Sequence, residues 1–331
     1  MIIVTGGAGF IGSNLVAGLL SKGLSDIVVV DRLGSDDKWK NLRKHELRDL
    51  IKPENMFPYL EKYKDEIEAI FHMGAISATT ETDTDLIVET NFTLSRELWK
   101  FSAQNNIRFI YASSAATYGA GEFGFKDEEN CEALSKLLPL NPYGWSKHIF
   151  DRRTARVIEE KNKEFIPPQH VGLKFFNVYG PNEYHKGDMK SVICKLFPQV
   201  EAGATAKLFK SHNPDYEDGG QLRDFIYVKD CVDVMLFMYD NPNVNGLFNV
   251  GTGKARSFKD LAFATFAAAN KEPKIQYIDM PNELRGKYQY YTQADMSKLQ
   301  EAGYSKPFTE LEDGVKDYIQ NYLMNETDIY L

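Results

Sequence analysis

The sequence has few cysteines and no long apolar run, its first residues do not lead us to expect a secretory leader, and each shortage disfavours a class of protein. Its three cysteines are too few, and of odd number, to build a disulfide scaffold, and their spacing matches no zinc-binding motif. No apolar stretch approaches the roughly 20 residues that a membrane-spanning helix needs. The first residues read directly as a strand, with neither the basic region nor the cleavage site of a secretory signal. We therefore expect a cytoplasmic protein with reduced thiols, no metal centre and no membrane partner.

Basic residues are also in deficit. The chain carries 39 lysines and arginines against 47 aspartates and glutamates, which gives a formal net charge of −8. A protein that binds nucleic acid needs a basic face that displaces counterions from phosphate, so this balance disfavours a nucleic-acid partner. It leaves room for a local basic pocket that holds a phosphorylated small molecule. With 331 residues, 43% of them hydrophobic and 26% charged, the chain has the composition of a globular protein with one large or two small domains.

Short apolar segments alternate with amphipathic segments through the first half of the chain, and this alternation predicts a parallel sheet with helices on both faces. The predicted strands are Ile2–Thr5, Ile27–Asp31, Ala69–His72, Arg108–Ala112 and Val171–Phe175. The predicted helices are Phe10–Ser21, Lys38–Leu50, Leu86–Asn105, Lys229–Tyr239, Ser257–Asn270 and Thr309–Leu323, with one more that begins at Pro142 and has Asn141 as its cap.

After about residue 180, prolines and glycines interrupt this pattern. We predict an α/β fold with a Rossmann-like, doubly wound parallel sheet, whose nucleotide-binding domain covers residues 1–176, with residues 225–256 returning to it. Residues 177–331 then form mainly a smaller, discontinuous substrate-binding domain. The segment Ser211–Gln221 has the composition of a surface loop.

A glycine-rich turn follows the first predicted strand and opens the first predicted helix. Gly6, Gly9 and Gly12 allow a tight turn and a close approach of the backbone to a pyrophosphate, which the helix N-terminus also attracts. Asp31 stands 19 residues after Gly12, at the end of the second strand, where an acid binds the adenosine ribose hydroxyls of a dinucleotide. Strand, glycines and acid together predict a nicotinamide dinucleotide site.

The charges next to Asp31 bear on the choice between NAD and NADP. An acid alone favours NAD, whereas an arginine at position 32 can pair with the 2′-phosphate of NADP. Lys38 and Lys52 are further cations near that pocket, although a solvated surface position is the simpler interpretation of Lys52. We predict NADP as the cofactor, with NAD as the alternative.

Tyr143 and Lys147 are four residues apart in the helix predicted after Pro142, so their side chains share one helix face. A neighbouring ammonium stabilises a phenolate and lowers the pKa of the tyrosine, and the phenolate then accepts a proton from an alcohol as hydride leaves. Ser113 and Ser114 end the strand upstream. One of these two hydroxyls can hydrogen-bond the reacting oxygen, and the other is explained by turn or cap chemistry.

The combination of glycine turn, acid, serine and tyrosine–lysine pair resembles the extended short-chain dehydrogenase/reductase superfamily over essentially the whole chain. Residues 176–189, 223–228 and 286–295 narrow the resemblance to the family of ADP-L-glycero-D-manno-heptose 6-epimerases. The most particular parts are the His-Lys-Gly triplet at 185–187 and the Tyr-Thr-Gln-Ala-Asp stretch at 291–295.

This resemblance implies a Rossmann domain with tightly bound NADP, epimerisation at C6″ of an ADP-activated heptose for lipopolysaccharide core, and a homo-oligomer, typically a pentamer. The implied catalytic residues are Tyr143, Lys147, Lys186 and Ser114. The residues implied at the cofactor are Gly6, Gly9, Phe10, Ile11, Gly12, Asp31, Arg32, Lys38, Lys52, Met73, Gly74, Ala75, Ile76, Ser77, Asn91, Lys147, Val178 and Lys186. The residues implied at the substrate are Ser114, Asn177, Asp188, Lys195, Phe209, Lys210, Ser211, His212, Arg223 and Tyr288.

Three rival functions share some of these features. A 4,6-dehydratase needs an acid–base pair beside the active-site serine or threonine, and the matching stretch Ser114–Tyr118 contains no acid. A reductase would consume exogenous cofactor stoichiometrically, and a non-catalytic redox sensor would not need the tyrosine–lysine pair. For the second base of an epimerase, the resemblance indicates Lys186, and His185 is the rival because its ordinary pKa is closer to neutrality.

Overall fold

The strands that the structure describes divide among three sheets. The computed structural model describes residues 1–161, 165–281, 289–325 and 327–331. The described strands are β1 Ile2–Thr5, β2 Ile27–Val30, β3 Asp49–Ile51, β4 Ala69–His72, β5 Arg108–Ser114, β6 His170–Phe175, β7 Asn177–Tyr179, β8 Ala206–Phe209, β9 Leu222–Tyr227, β10 Gly246–Val250, β11 Ala255–Ser257 and β12 Ile275–Ile278. A seven-stranded parallel sheet has the order β10-β6-β5-β4-β1-β2-β3, and two small sheets have the orders β11-β9-β7 and β12-β8.

Most of the connections between these strands contain helices. The described α-helices are α1 Phe10–Ser21, α2 Met56–Tyr63, α3 Thr84–Ile87, α4 Leu94–Gln104, α5 Cys131–Ser135, α6 Pro142–Glu159, α7 Val192–Glu201, α8 Val228–Asp240, α9 Phe258–Ala268, α10 Ser297–Glu301 and α11 Leu311–Tyr318. Among the residues that the structure describes, no helix combines the length and the apolar composition needed to cross a bilayer.

Successive residues of β1 belong to different hydrophobic cores. Ile2 and Val4 pack in one core with Leu15 of α1, whereas Ile3 packs in another with Trp99 of α4. Because side chains alternate between the two faces of a strand, both faces of the large sheet are covered, and β1 and β4 are buried at every position. The predicted α/β fold with a Rossmann-like, doubly wound parallel sheet is confirmed.

The local predictions are right for most elements and wrong for one. The helix α6 begins at Pro142, and the Asn141 side chain accepts a hydrogen bond from Gly144 N as its cap, as predicted. The helix predicted over residues 38–50 is wrong, because this segment forms a 3₁₀ turn at Asp37–Leu42 and the edge strand β3. Pairing of β3 with β2 and a hydrogen bond from Asn41 to Ala8 outweigh the helical propensity of its lysines and arginines.

The helix predicted over residues 86–105 contains a π-helical turn at Val88–Thr93, between α3 and α4. Asn91 lies in this turn and is fully buried. Its side chain accepts from Ile76 N and donates to Ile76 O and to Ser146 Oγ, over distances of 2.8–3.0 Å. Single π turns are frequent at functional sites. This one connects the loop after β4 with α6.

The order of the large sheet reverses between β1 and β4, and ligands of doubly wound sheets bind outside the carboxyl ends of the strands at this reversal. The glycine turn follows β1, residues 73–77 follow β4, and Ser114 ends β5, so these segments meet at one crevice. The predicted boundary at residue 176 falls between β6 and β7, which join different sheets, and β10 belongs to the large sheet again. The division into two domains stays a prediction.

Candidate active site

A cavity of about 600 Å³ opens at the reversal of the sheet order and brings together many of the residues singled out in the sequence. Those that line it are Gly6, Gly9, Phe10, Ile11, Gly12, Asp31, Lys38, Met73, Gly74, Ala75, Ser77, Ser114, Tyr143, Lys147, Asn177, Val178 and Lys186. The glycine turn, the start of α6 and the loop that carries Lys186 therefore border one space.

A second group of predicted residues lies outside the lining of this cavity. They are Arg32, Lys52, Ile76, Asn91, Asp188, Lys195, Phe209, Lys210, Ser211, His212 and Arg223. Tyr288 lies outside the described residues. Their roles stay predictions. Ile76 and Asn91 bond to each other behind the lining and hold the backbone of the loop after β4 in place.

The glycines of the turn are held by contacts that a side chain would break. Gly6 has a φ of +66°, in the left-handed region that favours glycine. A Cβ at Gly12 would lie 2.1 Å from the Gly6 carbonyl oxygen, and a Cβ at Gly6 would lie 2.6 Å from the Gly74 backbone. The helix α1 starts at Phe10 without a side-chain cap and without an acid in its first turn. Its first N–H groups are therefore available to an anion, and this donor set fits a dinucleotide pyrophosphate.

Asp31 lies between the glycine turn and a lysine. Its Oδ2 accepts a hydrogen bond from Ala8 N at 2.9 Å, and its Oδ1 accepts one from Lys38 Nζ at 2.6 Å. The Arg32 guanidinium instead donates from Nε to Glu54 at 3.1 Å, and the Arg32 side chain is 65% exposed. Lys38, rather than Arg32, is therefore the cation that lines the cavity beside this acid.

Tyr143 and Lys147 lie one turn apart on α6, with the Ser114 hydroxyl near the phenol. Burial raises the pKa of Tyr143, and the hydrogen bond with Ser114 opposes that rise. Burial lowers the pKa of Lys147 to about 8, and the Asp151 carboxylate opposes that fall. The expectation that the ammonium lowers the tyrosine pKa is wrong for the protein alone, because loss of hydration is the larger effect on the phenol.

The two serines at the end of β5 have different partners. Ser113 Oγ donates to the Asp151 carboxylate at 2.7 Å, in the interior of the protein. Ser114 caps the 3₁₀ turn Ala115–Tyr118, where its Oγ accepts from Ala116 N at 3.1 Å. This cap occupies the oxygen of Ser114 and leaves its hydrogen for an acceptor in the cavity.

His185 and Lys186 lie in the 3₁₀ turn Tyr184–Met189, on the loop that follows β7. Lys186 Nζ lies 5.1 Å from the centroid of the Phe10 ring, and burial lowers the pKa of this lysine. His185 Nδ1 lies 3.3 Å from Asn41 Nδ2, and burial lowers the pKa of this histidine to about 4. Both residues line the cavity.

The residues predicted at the substrate but outside the lining have other partners. Lys195 Nζ donates to the backbone carbonyl of Asp188. The Arg223 guanidinium lies 5.7 Å from the centroid of the Phe258 ring, which itself lines the cavity. Lys52, predicted near the cofactor, is exposed at the N-cap of a short 3₁₀ turn.

The segment 209–212 contacts the two small sheets and their connections. Lys210 Nζ pairs with Asp279 at 3.3 Å. His212 N donates to the Tyr290 hydroxyl at 3.1 Å, and Ser211 N donates to Asp218 at 2.8 Å. These contacts order the segment without bringing it into the cavity lining.

Sequence reasoning missed several residues of the lining, among them Thr79, Lys190 and Gln289. Gln289 Nε2 donates to the backbone carbonyl of Gly119, which follows the 3₁₀ turn Ala115–Tyr118 after β5. Its signal was present, since it follows Tyr288 within a segment already singled out. Lys190 stands four residues after Lys186, and Thr79 belongs to no motif that we found in the sequence.

The motifs around this cavity match one enzyme family. Residues 2–251 match the model of the NAD dependent epimerase/dehydratase family. The chain belongs to this family. It is 51% identical over 339 residues to the ADP-L-glycero-D-manno-heptose-6-epimerase of Fusobacterium nucleatum, with 100% of both chains covered. It is 52% identical over 326 residues to the protein of the same name from Nitratidesulfovibrio vulgaris (strain Hildenborough), with 98% of each chain covered.

Solved structures of related epimerases have the same fold. The Helicobacter pylori ADP-L-glycero-D-manno-heptose-6-epimerase is 28% identical with a TM-score of 0.78, over 97% of this chain and 95% of that one. The UDP-glucose 4-epimerase of Thermus thermophilus, solved with NAD, is 24% identical with a TM-score of 0.76, over 98% of this chain and 99% of that one. The resemblance to the heptose epimerase family is confirmed, and the family supports a nicotinamide cofactor.

Proposed function

We propose that this epimerase interconverts ADP-D-glycero-D-manno-heptose and ADP-L-glycero-D-manno-heptose at C6″, in the synthesis of lipopolysaccharide core precursors. One observation carries the proposal: a single cavity is lined by the Tyr143–Lys147 pair, by the loop of Lys186 and by the glycine turn. Full-length relatives at 51% and 52% identity are named for this activity.

Epimerisation by transient oxidation needs proton transfer at two positions, because the ketone must turn before its other face is reduced. A nicotinamide dinucleotide held by the glycine turn and Asp31 would supply the hydride acceptor and donor for C6″. Tyr143 accepts the hydroxyl proton in one orientation, while Ser114 donates a hydrogen bond to the reacting oxygen. Lys147, with a pKa of about 8, is mostly protonated at neutral pH, so its ammonium stabilises the phenolate as it forms. Lys186 exchanges the proton in the second orientation.

The cavity lining favours an epimerase over a dehydratase. Asp31 is the carboxylate among the described lining residues, and it is bonded to Ala8 N and Lys38 beside the glycine turn. Elimination of water needs an acid–base pair at the sugar, and the described part of the lining supplies no second carboxylate for it. The presence of Tyr143 and Lys147 in the cavity disfavours a redox sensor, which would not need them.

NADP, tightly bound, is the cofactor that we propose, with NAD as the alternative. Its support is the Lys38 ammonium beside Asp31, which offsets the repulsion between that carboxylate and a 2′-phosphate. We also propose that the protein is cytoplasmic and forms a homo-oligomer, which the family resemblance indicates is a pentamer.

The decisive experiment incubates the purified protein with ADP-D-glycero-D-manno-heptose and follows the signal of H6″ by NMR. An epimerase brings the two epimers to equilibrium while the absorbance of reduced cofactor stays constant. Stoichiometric consumption of added cofactor would instead indicate a reductase, and an unchanged sugar would refute the substrate. Release of the copurified cofactor by heat, followed by mass spectrometry, decides whether a 2′-phosphate is present.

A further inference from the structure

A buried ion pair lies directly beneath the proposed catalytic residues. Asp151 stands on α6, four residues after Lys147 and eight after Tyr143, on the same helix face. Its Oδ2 lies 2.8 Å from Lys174 Nζ of β6, and both side chains are completely buried. Neither residue lines the cavity, and the proposed function gives this pair no role.

Each polar group of this pair has a partner that leads back to the cavity. The Asp151 carboxylate also accepts from Ser113 Oγ at 2.7 Å and from the Tyr111 hydroxyl at 3.1 Å. Lys174 Nζ also donates to Thr117 Oγ1 at 2.6 Å. Thr117 in turn donates to the backbone carbonyl of Ser114 at 2.8 Å. The pair therefore joins α6 to both ends of the turn that carries Ser114.

Stability alone does not explain such a pair. Two charges removed from water lose more hydration energy than their attraction regains unless every remaining hydrogen bond is satisfied, and apolar residues of similar volume often serve the fold as well. Here the hydrogen bonds are satisfied, and they fix three segments whose relative position matters for proton transfer. Displacement of a catalytic group by about 1 Å can lower a rate by about 10²-fold.

We infer that Asp151 and Lys174 are positioning residues. They hold Tyr143, Lys147 and Ser114 in their positions relative to one another, and the Asp151 carboxylate keeps a negative charge close to Lys147. This inference rests on the proposed function for its kinetic part. Its electrostatic part concerns the protein alone, because the Asp151 carboxylate opposes the fall in the pKa of Lys147 that burial causes.

The charged and titratable groups around Lys147 come from three elements. Tyr143 and Asp151 flank it on α6, with His148 also on this helix and under the influence of Asp151. His72 faces it from β4, and burial lowers the pKa of this histidine to about 3, so that it is neutral at neutral pH. Lys174 from β6 is paired with Asp151. Asp151 is thus the nearby carboxylate whose removal changes the field at Lys147.

The test compares Asp151→Asn, the doubly neutral variant Asp151→Asn/Lys174→Met, and Lys174→Arg with the wild-type enzyme. The control is Lys229→Met, which removes an ion pair outside the cavity. In that pair, Lys229 Nζ lies 2.7 Å from Asp317 Oδ2. For each we propose to measure kcat, KM, Tm and the pH dependence of kcat with ADP-heptose. The pKa of Lys147 is measured separately by NMR of ¹³C-labelled lysine in the protein without substrate, with the signal assigned from Lys147→Met.

The inference expects kcat to fall about 10- to 100-fold in Asp151→Asn and in the double variant, with KM within about threefold. It also expects the pKa of Lys147 to fall in these two variants, so that kcat declines at a lower pH than in the wild type as the pH rises. For Lys174→Arg it expects kcat to stay within about fivefold of the wild-type value. A merely structural pair would lower Tm, as in the control, and leave kcat and the lysine titration unchanged. That result in Asp151→Asn overturns the inference even if the double variant does not fold. Failure of wild-type turnover would refute the substrate instead, and the lysine titration would still decide.

Discussion

Lys38 Nζ lies 2.6 Å from Asp31 Oδ1, which places a cation against the acid that we predict to bind a dinucleotide ribose. The pairing bears on cofactor choice, because an unpaired carboxylate repels the 2′-phosphate of NADP but accepts hydrogen bonds from the NAD ribose. We predict that Lys38→Met lowers the affinity for NADP about tenfold, equivalent to about 1.4 kcal/mol, with little change for NAD. Dissociation constants of both cofactors, measured by fluorescence on stripped protein, check this.

Arg32→Ala is the matched comparison for that variant. Its guanidinium is bonded to Glu54 and largely exposed, so we expect the ratio of NADP to NAD affinity to change less than in Lys38→Met. A larger change in Arg32→Ala would show that the arginine leaves Glu54 when the 2′-phosphate binds.

The glycine turn gives a prediction that depends on one distance. In Gly12→Ala the new Cβ would lie 2.1 Å from the Gly6 carbonyl oxygen, so backbone must shift on one side or the other. We expect a loss of about 1–3 kcal/mol in the free energy of unfolding and loss of copurified cofactor. Gly9→Ala is the control, since its Cβ would lie 3.0 Å from the same oxygen. Urea unfolding and cofactor content measure the two effects in Gly12→Ala, and an equal loss of stability in Gly9→Ala would contradict the steric argument.

Removal of the Tyr143 hydroxyl tests the first proton-transfer group. Tyr143→Phe keeps the ring that packs beside the cavity and deletes only the group near Ser114. We predict a fall in kcat of about 10²–10⁴-fold with the cofactor still bound. The control is the cofactor content of the same preparation, and epimerisation at the wild-type rate would refute the role of this tyrosine.

Because Lys147 is buried, we predict that its ammonium lowers the free energy of unfolding at neutral pH. The pKa of this lysine is about 8 in the folded protein, below its ordinary value of 10.5. Between these two values the unfolded chain binds more protons than the folded one, so the free energy of unfolding rises with pH across this window. Below pH 8 both states are protonated and the burial cost is complete. We therefore expect Lys147→Met, in the protein alone, to be more stable than wild type by about 3 kcal/mol at pH 7.

The pH dependence of that difference is the check. The stability gained by Lys147→Met should shrink as the pH rises from 8 towards 10, because the wild-type lysine then loses its proton in the folded state. Urea midpoints at pH 7 and pH 9.5 measure it. A constant difference would mean that the methionine stabilises by packing and that the lysine pKa is not lowered. The same variant should lose epimerase activity and retain less cofactor.

Local sequence patterns predicted the central strands because their signal is short-range. A run such as Ile2–Thr5 has three apolar residues in a row and is buried at every position, as expected of a strand covered on both faces. The segment 38–50 failed for the opposite reason, since its conformation depends on pairing with β2 and on Asn41 contacts with residues over 30 positions away. Edge strands with exposed, charged sequences carry little signal of their own.

The sequence predicted the parts of the site in which a motif sets the spacing of residues along the chain. It did not predict side-chain contacts that depend on a residue far away in the sequence. Spacing placed Tyr143 and Lys147 on one helix face, and the glycine pattern located the turn. Nothing in the sequence indicated that Glu54 would bind Arg32. The direction of the tyrosine pKa shift also depends on burial, which spacing does not specify.

The final prediction separates the two candidates for the second proton-transfer group. His185 is neutral at neutral pH, because burial lowers its pKa to about 4, and its Nδ1 is close to Asn41. The Lys186 Nζ lies beside the Phe10 ring, and burial lowers the pKa of this lysine, which makes its ammonium a better proton donor. We predict that Lys186→Met stops interconversion of the epimers, with a fall in kcat of about 10²–10⁴-fold.

His185→Asn is the matched control on the adjacent residue, and we expect it to keep epimerase activity within about tenfold, since asparagine retains a polar contact for Asn41. The two variants must be compared in both directions, starting from each epimer, because loss of one proton-transfer group leaves Tyr143 able to serve the other orientation. In Lys186→Met, Tyr143 should still support oxidation of one epimer, detected as enzyme-bound reduced cofactor by its absorbance in a single turnover. Loss of interconversion in His185→Asn alone would transfer the second role to the histidine, and loss in neither variant would refute a second protein group on this loop.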